Sequence, residues 1–175
     1  MKDNFFYPLT KDSFSKEDIN SGIKTLRTKK ITMGKKTLEI ENYFSKKIIK
    51  RDSLMVNSGS SANLLIFQAL VNPKLNLLKK GDKILIPAIC WSTSLWPIIQ
   101  SGLKPIFVDI DEKTLNISIL DLKKKINKQT KGLMLVHALG NCAEMDEIVK
   151  ICKKKKLILI EDTCEALGSK FKKKT

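Results

Sequence analysis

The run Val56-Asn57-Ser58-Gly59-Ser60-Ser61-Ala62-Asn63-Leu64-Leu65 sets small, hydroxyl-bearing residues between the apolar tripeptide Leu54-Met55-Val56 and an apolar-periodic segment. That order reads as strand, turn and helix. It leaves backbone N–H groups and the Ser60 and Ser61 hydroxyls before a helix N-terminus, where an anion is favoured. Ordinary N-capping by Ser60 or Ser61 is the second reading of the same residues. Further along, Trp91, Asp109, His137 and Asp162 each follow an apolar run. Trp91 offers an aromatic face for stacking, and Asp162 offers a carboxylate for a protonated ring nitrogen.

Together these residues suit a ligand that is phosphorylated, flat and basic. Pyridoxal phosphate has all three features, and its ring nitrogen is normally partnered by an acidic residue. The carboxylate keeps the ring protonated, so the ring can accept the electrons released when a substrate C–H bond ionises. Each residue also has a structural reading. Trp91 suits a core as well as a stacking platform, and Asp162 suits a cap or an ion pair as well as a cofactor. His137, the sole histidine, fits a hydrogen-bonded strand end. Of Glu161 and Glu165, which flank Asp162, one reads as a solvated or capping carboxylate.

The elements that must position these groups follow from periodicity. After an extended lead-in over residues 1 to 14, Ser15 with Asp18 three residues later marks a helix start, and Ile19, Ile23 and Leu26 carry it to about Thr28. A second helix is expected from about Thr37 to Lys50. After the opening strand and helix, strands are expected at Lys83 to Pro87, Pro105 to Asp109, Leu133 to Val136 and Leu157 to Ile160. Helices are expected from the Trp91 loop to about Gln100, from Ile119 to Ile126 and from Glu144 to Lys154. Apolar strands alternating with helices predict an α/β fold: a mainly parallel sheet flanked by helices. Ligands of such sheets bind outside the carboxyl ends of the strands, where Ser58 to Ser61, Trp91, Asp109, His137 and Asp162 all fall.

Composition narrows the class. The 175 residues carry a net charge of +15, yet Arg27 and Arg51 are the only arginines and the lysines are scattered. A nucleic-acid surface concentrates basic residues, with arginine for bidentate contacts, so compositional drift toward Lys, Ile and Asn is the reading taken. Cys90, Cys142, Cys152 and Cys164 form no C-x-x-C pair, and no zinc spacing exists beside a single histidine; no metal is expected. The N-terminus lacks signal-peptide features and no apolar run approaches a membrane span, which predicts a cytoplasmic protein.

The ordered segments Thr32-Met33-Gly34, Val56 to Leu65, Pro87 to Gln100, Phe107 to Asp111, His137 to Asn141 and Ile160 to Ser169 resemble the N-terminal part of the DegT-type (DegT/StrS) pyridoxal-phosphate-dependent sugar aminotransferases. The resemblance implies an incomplete large domain of a fold-type I transferase over residues 31–175, preceded by an N-terminal segment and helix over 1–30. It places Ser60 and Ser61 at the cofactor phosphate, Trp91 on the ring and Asp162 at the ring nitrogen. Glu165 falls near the phenolic oxygen, where many members carry Gln. The implied reaction transfers an amino group, from glutamate in most members, to a keto group of a nucleotide-linked sugar, as in cell-surface polysaccharide synthesis. Homodimers with shared active sites are also implied.

No catalytic residue is expected within the chain. The family's Schiff-base lysine is expected beyond Thr175, and Lys170, Lys172, Lys173 and Lys174 read as loop lysines. The chain by itself is therefore expected to be an inactive fragment. The alternative is a pyridoxamine-phosphate-dependent sugar dehydratase, which resembles the chain in the NSGSSANLL and LGN segments and carries histidine in place of the lysine. A small basic binding protein is a second alternative.

Overall fold

The computed structural model describes residues 13–48 and 51–172, in two compact units that meet in sequence between Met55 and Val56. The division expected after residue 30 falls inside the first unit. Most of the lead-in, and the expected helix end at Lys50, lie outside the described residues.

In the first unit, α1 spans Lys16–Arg27 and α2 spans Lys35–Lys47. The sequence signal for α1 is realised as a capping box. Ser15 Oγ accepts from Asp18 N at 3.1 Å, and the Asp18 carboxylate accepts from Ser15 N at 2.9 Å. Neither helix buries a residue. The strand expected at Leu54-Met55-Val56 does not form. A strand persists only where a neighbour takes its N–H and C=O groups, and here the Met55 N–H donates to Glu41 Oε1 at 2.8 Å instead.

The second unit alternates α3 (Gly59–Leu70), β1 (Lys83–Pro87), α4 (Ser92–Gln100), β2 (Lys104–Val108), α5 (Ile119–Lys125), β3 (Thr130–Val136), α6 (Met145–Lys155) and β4 (Ile158–Asp162). The four strands form one sheet in the order β2-β1-β3-β4, and all three pairings are parallel. Successive side chains point to opposite faces of a strand, so each strand feeds two cores. Leu85, Val108, Leu133 and Leu135 pack on one face with Leu122 of α5 and Ile148 and Ile151 of α6. Ile84, Ile86, Met134 and Ile160 pack on the other with Phe67 of α3 and Ile98 of α4. Such double coverage is why these strands read as continuous apolar runs.

The strand order sets the place of a ligand site. From β1 the chain turns one way to β2, then crosses back over β1 to β3. The crevice at the carboxyl ends of β1 and β3 is thus the point where the winding reverses, the usual ligand position in an open α/β sheet.

Candidate functional site

Helix α3 delivers the first residues of the site. Gly59, Asn63, Phe67 and Leu70 share one face of it, at spacings of four, four and three. Phe67 and Leu70 enter the core, and one turn nearer the N-terminus the same face turns polar at Asn63, which is buried. The N-cap is Ser58, not Ser60 or Ser61: its extended backbone directs Oγ to accept from Ser61 N at 3.1 Å. The Ser58 hydroxyl also donates to Ser61 Oγ at 3.1 Å. Ser61 is therefore held within the cap, while the N–H groups of Gly59 and Ser60 have no intrahelical partner. Gly59 leaves room for Cys164, since a Cβ there would lie 2.6 Å from Cys164 Sγ.

Asp162, at the end of β4, is 8 % exposed and accepts hydrogen bonds from Asn63, Ser94 and Cys164. Its Oδ2 takes Asn63 Nδ2 and Ser94 Oγ, each at 2.9 Å, and its Oδ1 takes Cys164 N at 3.1 Å. Burial by itself would raise the carboxyl pKa, but the bonds from Asn63, Cys164 and Ser94 outweigh it and hold the pKa below its ordinary value. The group is thus a buried anion whose charge is stabilised by hydrogen-bond donors. Its charge reaches its neighbour: the hydrogen bond to Asp162, followed by burial, pushes the Cys164 thiol up to about 11.

A cavity of about 480 Å³ lies over this carboxylate, lined among others by Ser60, Asn63, Trp91, Ser94, Asp162 and Glu165. That volume is within the roughly 300–1,000 Å³ of small-molecule sites. Trp91, the residue before α4, is 72 % exposed, so its ring is not a core aromatic. Glu165 Oε2 accepts from Leu139 N at 2.7 Å. It fastens the turn Ala138–Gly140, in which Leu139 adopts φ 53°, a conformation that non-glycine residues seldom take. A larger cavity of about 600 Å³ lies between α1 and α2, but neither helix there buries a residue.

Four of the five residues expected at a cofactor, Ser60, Trp91, Asp162 and Glu165, line one cavity; Ser61 does not. Two strand-end residues also lie elsewhere. Asp109 Oδ1 accepts from Ile110 N at 2.8 Å, in the turn after β2. His137 is buried; its Nδ1 accepts from Ala143 N at 3.1 Å, which leaves the proton on Nε2, 3.3 Å from Glu161 Oε2. Glu161 faces away from Asp162 as strand alternation requires, and it is the flanking carboxylate with no part in the cavity. Asn63 and Ser94 escaped the sequence reading. The only signal was a polar residue on the buried seam of each helix: Asn63 four residues before Phe67, and Ser94 four before Ile98.

At the carboxyl edge of a doubly covered parallel sheet, a donor-held carboxylate and an exposed indole thus line one cavity. The model of the DegT/DnrJ/EryC1/StrS aminotransferase family matches residues 12–175, and the chain belongs to that family. It is 42% identical over 168 residues to a GDP-4-keto-6-deoxy-D-mannose 3-dehydratase of Escherichia coli O55:H7, which covers 96% of this chain and 43% of the relative. It is 35% identical over 136 residues to a GDP-perosamine synthase of Escherichia coli O157:H7, over 78% of this chain and 36% of that protein. The chain thus spans well under half the length of these relatives.

Among solved structures, the Escherichia coli 3-dehydratase with bound hydrated PLP superposes with a TM-score of 0.92 at 41% identity, over 97% of this chain and 43% of that one. Helicobacter pylori PseC, an aminotransferase involved in the biosynthesis of pseudoaminic acid, superposes with a TM-score of 0.87 at 27% identity, over 97% of this chain and 44% of that one. The resemblance read from the sequence and the expected fold class are both borne out. The relatives include both a dehydratase and an aminotransferase.

Proposed function

We propose that residues 56–172 hold pyridoxal or pyridoxamine phosphate in an enzyme that modifies a nucleotide-linked keto sugar, and that the reaction is removal of the hydroxyl next to the keto carbon. The observation that carries the cofactor is Asp162, a buried carboxylate kept anionic by Asn63, Ser94 and Cys164 at the floor of the cavity. Bound there, the cofactor supplies an electron sink, because its protonated ring accepts the electron pair released at a substrate carbon. The Asp162 carboxylate would accept the hydrogen bond from the protonated ring nitrogen. The N–H groups of Gly59 and Ser60, with the Ser60 hydroxyl, would hold the phosphate, and the Trp91 indole would stack on the ring. Glu165 fixes the 138–140 turn at the cavity edge. The group that moves the substrate proton comes from outside these residues, and a homodimer would complete the site.

Dehydration is favoured by the 42% identity to the 3-dehydratase over nearly the whole chain, against 35% over a shorter span for the perosamine synthase. Amino transfer is the second reading. It is favoured by the matches to the perosamine synthase and to the aminotransferase PseC. The two differ in one residue beyond this chain: a histidine base serves dehydration, whereas a lysine must hold the cofactor for amino exchange. Borohydride treatment of the full-length holoenzyme, followed by mass spectrometry, separates them. Dehydration predicts a cofactor that stays free, and a 3-deoxy product from a GDP-linked 4-keto-6-deoxy sugar with glutamate present. Covalent fixation to a lysine, with an amino sugar as product, would install the second reading in its place.

A further inference from the structure

Pro97 is the sixth residue of α4, an interior position where proline is strongly disfavoured. Proline has no N–H, so the carbonyl four residues earlier, that of Thr93, receives no helical hydrogen bond. The ring also presses that carbonyl away from the helix axis. The Thr93 carbonyl accepts instead from Asn63 Nδ2, at 3.4 Å. The same nitrogen donates to Asp162 Oδ2 at 2.9 Å. Both hydrogens of one buried amide are thereby committed to oxygens on different elements. Turning the amide over would set its own oxygen against both acceptors, so its orientation is fixed.

We propose that Pro97 is a positioning residue for Asp162: it leaves the Thr93 carbonyl open, and that carbonyl orients the Asn63 amide toward the carboxylate. Without the second acceptor, the amide could rotate about its terminal torsion, which is soft in asparagine. Ser94 Oγ would then remain on Oδ2 without the amide beside it. Burial of the carboxylate makes a wandering donor costly. The helix-breaking residue in α4 thus serves the site floor. This rests on Asp162 being the partner of the cofactor ring, as proposed above.

The test is Pro97→Ala in the full-length enzyme, which returns an N–H to the Thr93 carbonyl. Hydrogen exchange of the Asn63 side-chain amide, followed by NMR in the apoenzyme, should be several-fold faster than in the wild type. The dissociation constant for pyridoxal phosphate should rise about three- to tenfold, the loss of one net hydrogen bond. Asn63→Ala should weaken binding at least as much, and adding Pro97→Ala to it should change nothing further. Multiplying effects in the double variant would mean that Pro97 acts through the helix and not through Asn63, which overturns the proposal. Unchanged amide exchange and affinity in Pro97→Ala would overturn it equally, whether or not Asn63→Ala folds. Asp162→Asn tests the underlying reading separately: unchanged affinity there refutes the cofactor assignment, while the amide exchange still decides the role of Pro97.

Discussion

Replacing Asp162 by Asn nearly preserves shape and removes the charge, and the hydrogen-bond geometry fixes the outcome. The Cys164 N–H that meets Oδ1 is backbone and cannot reverse, so the new carbonyl must face it. The new NH₂ then faces Ser94 Oγ and Asn63 Nδ2. Ser94 can rotate its hydroxyl and accept. Asn63 can accept only by turning its amide over, which abandons the Thr93 carbonyl. One buried polar group is stranded in every arrangement, at about 1–3 kcal/mol, and the remaining bonds lose their charge assistance. We expect a loss of about 2–3 kcal/mol in unfolding free energy of the full-length protein, measured by urea denaturation.

Turnover should fall at least about tenfold, about 1.4 kcal/mol of barrier, because the ring loses the anion that keeps it protonated. The pH dependence has a definite sign. The folded pKa of Asp162 lies below its ordinary 3.8, so its contribution to stability is complete above about pH 4 and is lost as the pH falls through the depressed value. The stability gap between wild type and variant should therefore be flat at neutral pH and close only in that acid window. Equal turnover and equal stability at neutral pH would refute the reasoning.

Cys164 is exposed, yet with its thiol pushed from 9.0 to about 11 by Asp162 and burial it should alkylate about tenfold more slowly than an ordinary cysteine at neutral pH, the smaller thiolate fraction being partly offset by a more nucleophilic thiolate. Asp162→Asn should accelerate that alkylation, as mass spectrometry of iodoacetamide-treated protein can read. Gly59→Ala would drive a methyl group to 2.6 Å from Cys164 Sγ and should destabilise by about 1–3 kcal/mol, with most of the loss recovered by adding Cys164→Ala. The scattered lysines behind the +15 charge should give only weak nucleic-acid binding, lost near 0.15 M salt. Tight binding of one DNA or RNA sequence in a fluorescence titration at that salt would contradict this.

Local sequence determined whatever depends on local physics. Ser15 and Asp18 specified a capping box because both partners lie within one turn. Apolar runs such as Ile84-Leu85-Ile86 specified strands covered on both faces, and from their alternation with helices the parallel sheet and its ligand edge followed. Trp91, Asp162 and Glu165 were legible because strand ends and ordered motifs placed them there. Tertiary structure decided the rest. Leu54 to Val56 has the composition of a strand, but a strand exists only in a ladder, and Met55 bonds to Glu41 instead. His137 and Asp162 both end strands, and only packing sends one into a bond with Ala143 and the other to the floor of the cavity. Asn63, Ser94 and Pro97 were illegible as a group because they lie on two helices and act on a strand end 99 residues from Asn63 and 68 from Ser94. A polar residue in an apolar seam carries no local mark of its partner; only the folded chain brings the donor to the carboxylate.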